Sequence, residues 1–432
     1  MEQLLVQHEE RDLSGTLDSI QDCYHILFET QTRLWLPNND ICLFDRFFDK
    51  AEKAQSQKRI IRVLHYGDSQ IEQDRISCRL RERLQLIFGG GGPGMLPLRQ
   101  PIPTISFNQN ASGNLIGQST YGDSSFVRAK GNYGPMLRSW RISGKASLSL
   151  YASKGNHASA RTGLFSSVRV LFNNRPGPLE INFHNRKGPS DSQGYEKREG
   201  IHLISWNMDT ASSSASLSFN GNADIYGILV DDGYGVAVDN ISMRGVSGHQ
   251  FTMVNADQLK ESYQLLDVGM IIMQFGGNSV PYLKTEKAID NYCLKLGQQI
   301  DFVHEASPDA VILFVGPSDM STKVNGQLAT YPMLPTVVER LRQMANEHGA
   351  AYWSIYDAMG GYNSMISWVK NGYAGPDYIH FSHKGARIMG DYLSDVILKF
   401  YELYLLRKQL QPEQFNKLWK EASSYNALSL NI

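Results

Sequence analysis

The sequence has almost no net charge, no long apolar run and little cysteine. Its 432 residues contain 42 Lys and Arg against 43 Asp and Glu, so that the net charge is −1. Because the basic residues form no run, a nucleic-acid partner is not expected. The longest apolar stretches, such as AVILFVG, have the length of a strand, which predicts no membrane span. The first residues lack the basic-then-apolar pattern of a signal peptide, which leaves either a cytoplasmic protein or a mature form whose signal has been removed.

The cysteines give little information about chemistry. There are four, at Cys23, Cys42, Cys78 and Cys293, and their spacing fits neither a CxxC pair nor a set of metal ligands. We expect buried thiols and no metal site. The hydrophobic content of 42% and the aromatic content of 10% are those of an ordinary globular protein, and the length suits two or three domain-sized units.

Strand and helix patterns alternate over much of the chain. The segment RIIRVLHYGDS is a continuous apolar run that ends in small polar residues, and apolar residues at helical spacing follow it. Four more buried strands are predicted in GVAVDNISM, LDVGMIIMQF, DAVILFVG and AAYWSIYDA, with helices at roughly 249–265, 284–306 and 334–347. This alternation is typical of a doubly wound parallel α/β sheet.

The residue pattern changes between the first two of these strands. Short alternating runs such as ASLSLYAS, SVRVLFNN and LEINFHN, separated by turn residues, predict an antiparallel β-sandwich inserted into the α/β domain. The predicted organisation has five parts: an N-terminal helical segment at 1–58, the first part of the core at 59–135, the insertion at 136–230, the second part of the core at 231–400, and a helical tail at 401–432.

The tetrapeptide Tyr-Gly-Asp-Ser occurs twice and ends at Ser69 and at Ser124. Ser69 ends a buried strand and opens a helix, where open α/β sheets bind ligands and where a helix N-terminus can stabilise an oxyanion. A helix N-cap is the alternative role for Ser69. Ser124 lies in a polar stretch with neither a strand before it nor a helix after it, and we interpret it as a turn residue.

A nucleophilic serine needs a base that is held by a third group. In the stretch GPDYIHFSHKG, Asp377 precedes His380 by three residues, which lets the carboxylate bind one ring nitrogen while the other faces Ser69. His383 is the competing base, but Ser382 and His383 resemble the start of a helix. Elsewhere, His65 beside the first turn is expected to be packed.

These residues carry a resemblance to a known family. GDS after the first strand, RGVSGHQ after the second, GGNS after the third and DYIH before the last core helix resemble, in order, the four blocks of the SGNH (GDSL-type) hydrolases. The resemblance implies a three-layer α/β/α sandwich with a parallel sheet. It also implies that Ser69 is the nucleophile, His380 the base and Asp377 the residue that orients the base.

The same resemblance implies an oxyanion hole made of the backbone N–H groups of Ser69 and Gly248 and the side-chain amide of Asn278. Gly245 is an alternative to Gly248 as a donor. The chain departs from the family at Gln70, which stands in place of Leu and is not expected to matter for catalysis. It also departs at Ser279, in place of an Asp common after the block-three Asn.

A narrower resemblance spans roughly residues 59–400 and includes HYGDSQIEQDRI, FGGGGPGMLPL and VGPSDMS. These stretches are similar to bacterial SGNH proteins related to peptidoglycan O-acetylesterases, which carry a carbohydrate-binding-like sandwich between blocks one and two. The resemblance implies an esterase that removes acetyl groups from a glycan, in the first place peptidoglycan or another cell-envelope polysaccharide, in the periplasm or outside the cell. Neither a metal nor a cofactor is implied.

Two alternatives to the esterase stay open at this point. A polysaccharide O-acetyltransferase would use the same residues with a sugar hydroxyl in place of water, and a glycan-binding protein would have lost catalysis. Aromatic residues of the insertion could form a saccharide-binding face, although aromatic residues in a sandwich more often lie in its core. The candidates are Tyr151, Phe183, Tyr195 and Trp206.

Overall fold

The structure is a computed structural model that describes residues 2–122, 125–128, 131–153, 159–185 and 190–429, and only the backbone of 2–14 and 425–429. The first elements are helix α1 (Glu2–Phe28), strand β1 (Leu34–Trp35), helix α2 (Asp45–Ala54), strand β2 (Ile60–Gly67) and helix α3 (Ser77–Phe88). A 3-10 turn at Pro37–Asn39 separates β1 from α2. Residues 1–58 thus contain two helices, separated by the short strand β1 and this 3-10 turn.

Eight strands of an antiparallel sheet follow. They are β3 (Gly94–Leu96), β4 (Phe107–Ser119), β5 (Arg138–Ala152), β6 (Phe165–Asn173), β7 (Leu179–His184), β8 (Asp191–Tyr195), β9 (His202–Ser212) and β10 (Ser214–Asp231).

The α/β pattern then resumes and continues to the end of the described chain. Its strands are β11 (Gly235–Ser242), β12 (Val268–Gln274), β13 (Val311–Val315), the hairpin β14 (Ser321–Val324) and β15 (Gln327–Thr330), and β16 (Ala351–Trp353). Its helices are α4 (Ala256–Leu265), α5 (Glu286–Ala306), α6 (Leu334–Glu347), α7 (Ile355–Ala358), α8 (Ser364–Lys370), α9 (His383–Gln409) and α10 (Pro412–Ser429).

Six strands form the central sheet, in the order β1-β16-β13-β12-β2-β11. All neighbours are parallel except β1, which pairs antiparallel with β16 at one edge. Every residue of β2 is buried, as expected for a strand that helices cover on both faces. One apolar cluster joins this sheet to α4, α5 and α6, and another joins it to α1, α2, α3, α9 and α10. The predicted three-layer α/β/α core is confirmed.

Strand β10 organises the antiparallel sheet. Its first half pairs with β5 on one side and β7 on the other, and its second half pairs with β6 and β3. Apolar side chains from all these strands and from β9 form a single cluster, as in the core of a sandwich. The extra antiparallel domain that the sequence predicts is consistent with this arrangement.

The limits of this domain differ in detail from the predicted segment 136–230. Strands β3 and β4 pair within the same sheet although they precede residue 136. Side chains of β6 and β10, among them Leu171, Tyr226 and Leu229, belong to the same apolar cluster as helices α4 to α6. The domain boundaries themselves therefore stay predictions.

The aromatic residues named for the insertion fall into two groups. Phe183 and Trp206 are buried and stack with ring centroids 5.5 Å apart, and Tyr195 packs on Phe172 in the same core. Tyr151 differs, because 49% of it is exposed. Of the four cysteines, three are buried as expected and Cys42 is exposed. None of the described helices combines the length and the apolar character needed to cross a membrane.

Candidate active site

The nucleophile candidate lies at the carboxyl end of β2. Asp68 follows this strand and caps the 3-10 turn Ser69–Asp74, with its Oδ1 atom accepting a hydrogen bond from the Gln70 backbone N–H at 2.9 Å. This local turn leaves the Ser69 side chain half-buried at the sheet edge where α/β proteins bind ligands. The cap on this turn is therefore Asp68 and not Ser69.

The structure brings Ser69, His380 and Asp377 together although 311 residues separate the first two. The Ser69 Oγ and His380 Nε2 atoms are 2.8 Å apart, and His380 Nδ1 lies 2.8 Å from Asp377 Oδ2. Because a carboxylate only accepts hydrogen bonds, Nδ1 must carry the ring proton. Nε2 is then free to accept a proton from the Ser69 hydroxyl.

Asp377 also holds the backbone around the base. Its Oδ1 atom accepts hydrogen bonds from the N–H groups of Ile379 and His380, at 3.0 and 3.1 Å. Partial burial alone would raise the pKa of Asp377, but the hydrogen bonds from the His380 ring and from these two backbone groups lower it below its usual value. The carboxylate therefore stays ionised and keeps the imidazole in one orientation.

The candidate oxyanion donors lie on the neighbouring loops. The Asn278 side-chain nitrogen donates to the Val246 carbonyl at 3.0 Å and to Asp68 Oδ2 at 3.2 Å. Gly248 has a φ of +92°, and a Cβ atom there would lie 2.8 Å from Leu296, whereas Gly245 has open space at the same position. The choice between Gly248 and Gly245 as donor stays a prediction.

Asp68, which precedes the nucleophile, is only 4% exposed. Burial raises its pKa from 3.8 to about 6, and the hydrogen bond from the Gln70 N–H opposes that rise only in part. The carboxyl group is also an acceptor for the Asn278 amide. One buried group thus contacts both the turn that carries Ser69 and the side chain predicted to stabilise the oxyanion.

Two residues that the sequence analysis set aside or missed hold the loop of the base against the turn of the nucleophile. The Gln70 amide nitrogen donates to the Ile379 carbonyl at 2.6 Å, and its oxygen accepts from the Phe381 N–H at 3.3 Å. Arg75 donates to the carbonyls of Phe381 at 2.8 Å and of Ser69 at 2.7 Å. The expectation that Gln70 matters little is therefore not supported by its contacts. The Gln in place of the family's Leu was the sequence feature that could have indicated a role for this position.

The remaining serine and histidine candidates have other surroundings. Helix α9 begins at His383 with Ser382 as its N-cap, as expected. His65 is fully buried between Gln274 and Ser77, and burial lowers its pKa to about 4, which confirms that it is a packed side chain. Ser124 lies outside the described residues. Among those residues, no group of three or more His, Cys, Asp or Glu side chains could hold a metal ion.

Comparison with known proteins finds a family match over part of the chain. Residues 210–388 match the model of the GDSL-like Lipase/Acylhydrolase family. The matched segment contains Gly248, Asn278, Asp377 and His380, while Ser69 precedes it on the far side of the antiparallel strands. No curated protein matches the sequence.

The solved structures resemble this chain to different degrees. A peptidoglycan O-acetylesterase aligns with 87% of this chain and 99% of its own, at 20% identity and a TM-score of 0.67. A family two carbohydrate esterase from Cellvibrio japonicus aligns with 69% of this chain and 99% of its own, at 8% identity and a TM-score of 0.28. A family two carbohydrate esterase with a carbohydrate-binding domain, from Corynascus thermopiles, aligns with 67% and 99%, at 10% identity and a TM-score of 0.30. The last two TM-scores are too low to establish a shared fold.

The family match and the fold together confirm the predicted resemblance to the SGNH (GDSL-type) hydrolases. They support a carboxylic ester hydrolase as the class of this protein.

Proposed function

We propose that this protein is a serine esterase that removes O-acetyl groups from a glycan of the cell envelope, with peptidoglycan as the first substrate to test. The observation that carries the proposal is the hydrogen-bonded chain from Ser69 through His380 to Asp377, with both links at 2.8 Å. The fold likeness to a peptidoglycan O-acetylesterase supports the choice of substrate class. A substrate of this kind requires a location outside the cytoplasm.

The proposed reaction has two halves. In the first, Ser69 Oγ attacks the acetyl carbonyl carbon while His380 Nε2 takes the hydroxyl proton, and the C–O bond to the sugar then breaks as His380 returns the proton to the leaving sugar oxygen. In the second, water attacks the acetyl-enzyme in the same way and releases acetate and free Ser69. The ionised Asp377 stabilises the imidazolium that forms in each half.

The negative charge of each tetrahedral intermediate needs donors. We assign this role to the N–H groups of Ser69 and Gly248 and to the Asn278 amide. The Asn278 amide nitrogen donates its two hydrogens to Asp68 and to the Val246 carbonyl. To bind an oxyanion, it must redirect one of these hydrogen bonds to the oxyanion. Loss of one such donor typically lowers turnover by on the order of 10²–10³, which is the effect expected for Asn278→Ala.

The test is acetate release from O-acetylated peptidoglycan, measured beside acetylated xylan. Ser69→Ala and His380→Ala should each lower turnover by several orders of magnitude, because the nucleophile and its base act as a unit. Ser124→Ala and His383→Ala are the matched controls and should retain most of the activity. If a folded His383 variant loses activity while the His380 variant keeps it, the base is misassigned.

The same assay separates the alternatives. A transferase would move the acetyl group to an added saccharide and release little acetate from donor alone. A binding protein without catalysis would not turn over even an activated ester such as 4-nitrophenyl acetate.

A further inference from the structure

A cavity of about 420 Å³ lies where the antiparallel strands meet the carboxyl end of β11. None of the three proposed catalytic residues lines it. The core contributes Glu72 and Arg244 to its wall, and Glu72 follows Ser69 by only three residues. The chain between these two residues spans at most about 11 Å. A ligand in the cavity could therefore belong to the same glycan chain as an ester at Ser69.

The charges of the cavity are not balanced. Glu72 and Arg244 form a two-point ion pair, with Arg244 Nε 2.8 Å from Glu72 Oε1. The third charged group among the described lining residues, Arg138, forms no such pair. Its guanidinium lies 4.6 Å from the ring centroid of Tyr121 and 4.7 Å from that of Phe126. These cation–π contacts supply no hydrogen-bond acceptor.

Two buried polar atoms of the cavity residues also lack partners. Arg138 Nε has no hydrogen-bond acceptor and Gln100 Oε1 has no donor among the described residues. The two terminal nitrogens of Arg138 are not among these buried atoms and donate to no described residue, so an acceptor in the cavity can reach them. The rest of the wall is largely apolar and includes Pro101, Ile102 and Met136. The complementary ligand has an acceptor of negative charge and a few apolar carbons.

We infer that this cavity binds a carboxylate-bearing substituent of the glycan, with Arg138 as the residue that recognises the carboxylate. Arginine suits this role because its planar fork can donate two parallel hydrogen bonds to a carboxylate. The inference rests on the proposed function for its substrate class. It adds a determinant of specificity, because a neutral sugar would leave Arg138 unpaired.

The test compares two disaccharides on the full chain by isothermal titration calorimetry. N-acetylglucosaminyl-N-acetylmuramic acid carries a lactyl carboxylate, whereas di-N-acetylchitobiose lacks it. We expect the first to bind at least tenfold more tightly. In Arg138→Gln, this preference should fall to less than threefold. Arg175→Gln, which removes an arginine at an exposed turn of the same sheet, is the control and should keep the full preference.

Arg138→Lys covers the case in which the Gln variant does not fold, since it keeps the positive charge beside the two rings but loses the fork. It should retain only part of the preference. Equal binding of the two disaccharides to the unmodified chain, or no binding of either at millimolar concentration, overturns the inference. Hydrolysis of 4-nitrophenyl acetate by the same preparation distinguishes that result from a failure of the proposed function.

Discussion

His65, His380 and His383 carry the same side chain into three different surroundings. His65 is sealed inside the sheet, where burial holds its pKa at about 4 and keeps the ring neutral. His380 lies on a loop between an ionised carboxylate and a serine hydroxyl. His383 is exposed in the first turn of α9. The His380 ring contacts the ionised carboxylate of Asp377 on one side and the strand-end hydroxyl of Ser69 on the other, which is why we assign it as the base.

The buried carboxyl of Asp68 predicts how the stability of the protein changes with pH. Its folded-state pKa of about 6 lies above its ordinary value of 3.8. Because the pKa is raised in the folded state, the protonated carboxyl stabilises the fold. This stabilisation is complete below about pH 4 and is lost as the pH rises through about 6. Between pH 4 and pH 7.5 this carboxyl should therefore lower the free energy of unfolding by roughly 2–3 kcal/mol.

The measurement is urea unfolding at pH 4 and pH 7.5, with the unmodified chain compared with Asp68→Asn. The substitution itself lowers the free energy of unfolding, because the new amide nitrogen at this position can face the Asn278 amide nitrogen. That loss does not depend on pH. The stability of the Asp68→Asn variant relative to the unmodified chain should rise with pH. Asp309→Asn, which removes an exposed carboxyl, is the control. A parallel pH dependence in the unmodified chain and the Asp68→Asn variant would contradict the prediction.

At the scale of elements, the site depends on how two loops are joined. The turn after β2 carries Ser69, and the loop before α9 carries His380. Gln70 and Arg75, which both follow β2, reach the second loop through three hydrogen bonds to backbone atoms of Ile379 and Phe381, and Arg75 also donates to the Ser69 carbonyl. These bonds hold the two loops together through side chains of the first loop and backbone atoms of the second.

Gln70→Leu restores the residue common in the family and removes two of those bonds. We expect kcat for 4-nitrophenyl acetate to fall by about 10- to 100-fold with KM changed by less than threefold, because small displacements of a catalytic group affect turnover strongly. Gln70 acts here as a positioning residue. The control is Gln298→Leu, at an exposed position of α5. An equal rise in KM, or an unchanged kcat, would mean that the contact does not position His380.

At the scale of the whole molecule, a buried ionic group joins the antiparallel sheet to the central sheet. Arg62 of β2 contacts Asp239 of β11 and Asp231 of β10, and Arg169 of β6 reaches the same Asp231. Arg62, Asp231 and Asp239 are completely buried. Burial alone would raise the pKa of Asp231, but the two arginines lower it overall. The carboxylate therefore stays charged and ties the two sheets together.

Arg62→Met should destabilise the protein by about 3–5 kcal/mol, because it leaves the buried Asp239 without its ion-pair partner and Asp231 with Arg169 alone. Urea unfolding near neutral pH measures this effect. Arg46→Met removes one partner of an exposed ion pair with Asp309 and should cost less than about 1 kcal/mol. A loss of similar size in both variants would show that the buried group does not couple the sheets.

The sequence by itself determined the elements of the core. A continuous apolar strand such as β2 has no polar face and must be covered on both sides. The segments that follow such strands have apolar residues at helical spacing, which supplies the covering helices. Since the ends of parallel strands meet at one edge, the strand-end position of Ser69 and the short spacing of Asp377 and His380 were enough to nominate a triad. Local patterns also separated His383, at a helix start, from His380.

The tertiary structure alone decided how the loops and domains meet. Nothing in the sequence near Gln70 or Arg75 reveals that their partners lie about three hundred residues away, because hydrogen bonds to backbone carbonyls leave no mark on the residue type of the acceptor. The pairing of β3 with β10 likewise depends on register between strands that lie far apart in the chain. Arg138 became a candidate for ligand binding only when folding placed it in the wall of a cavity without an acceptor among the described residues, since whether a polar group finds a partner is a property of the packed molecule.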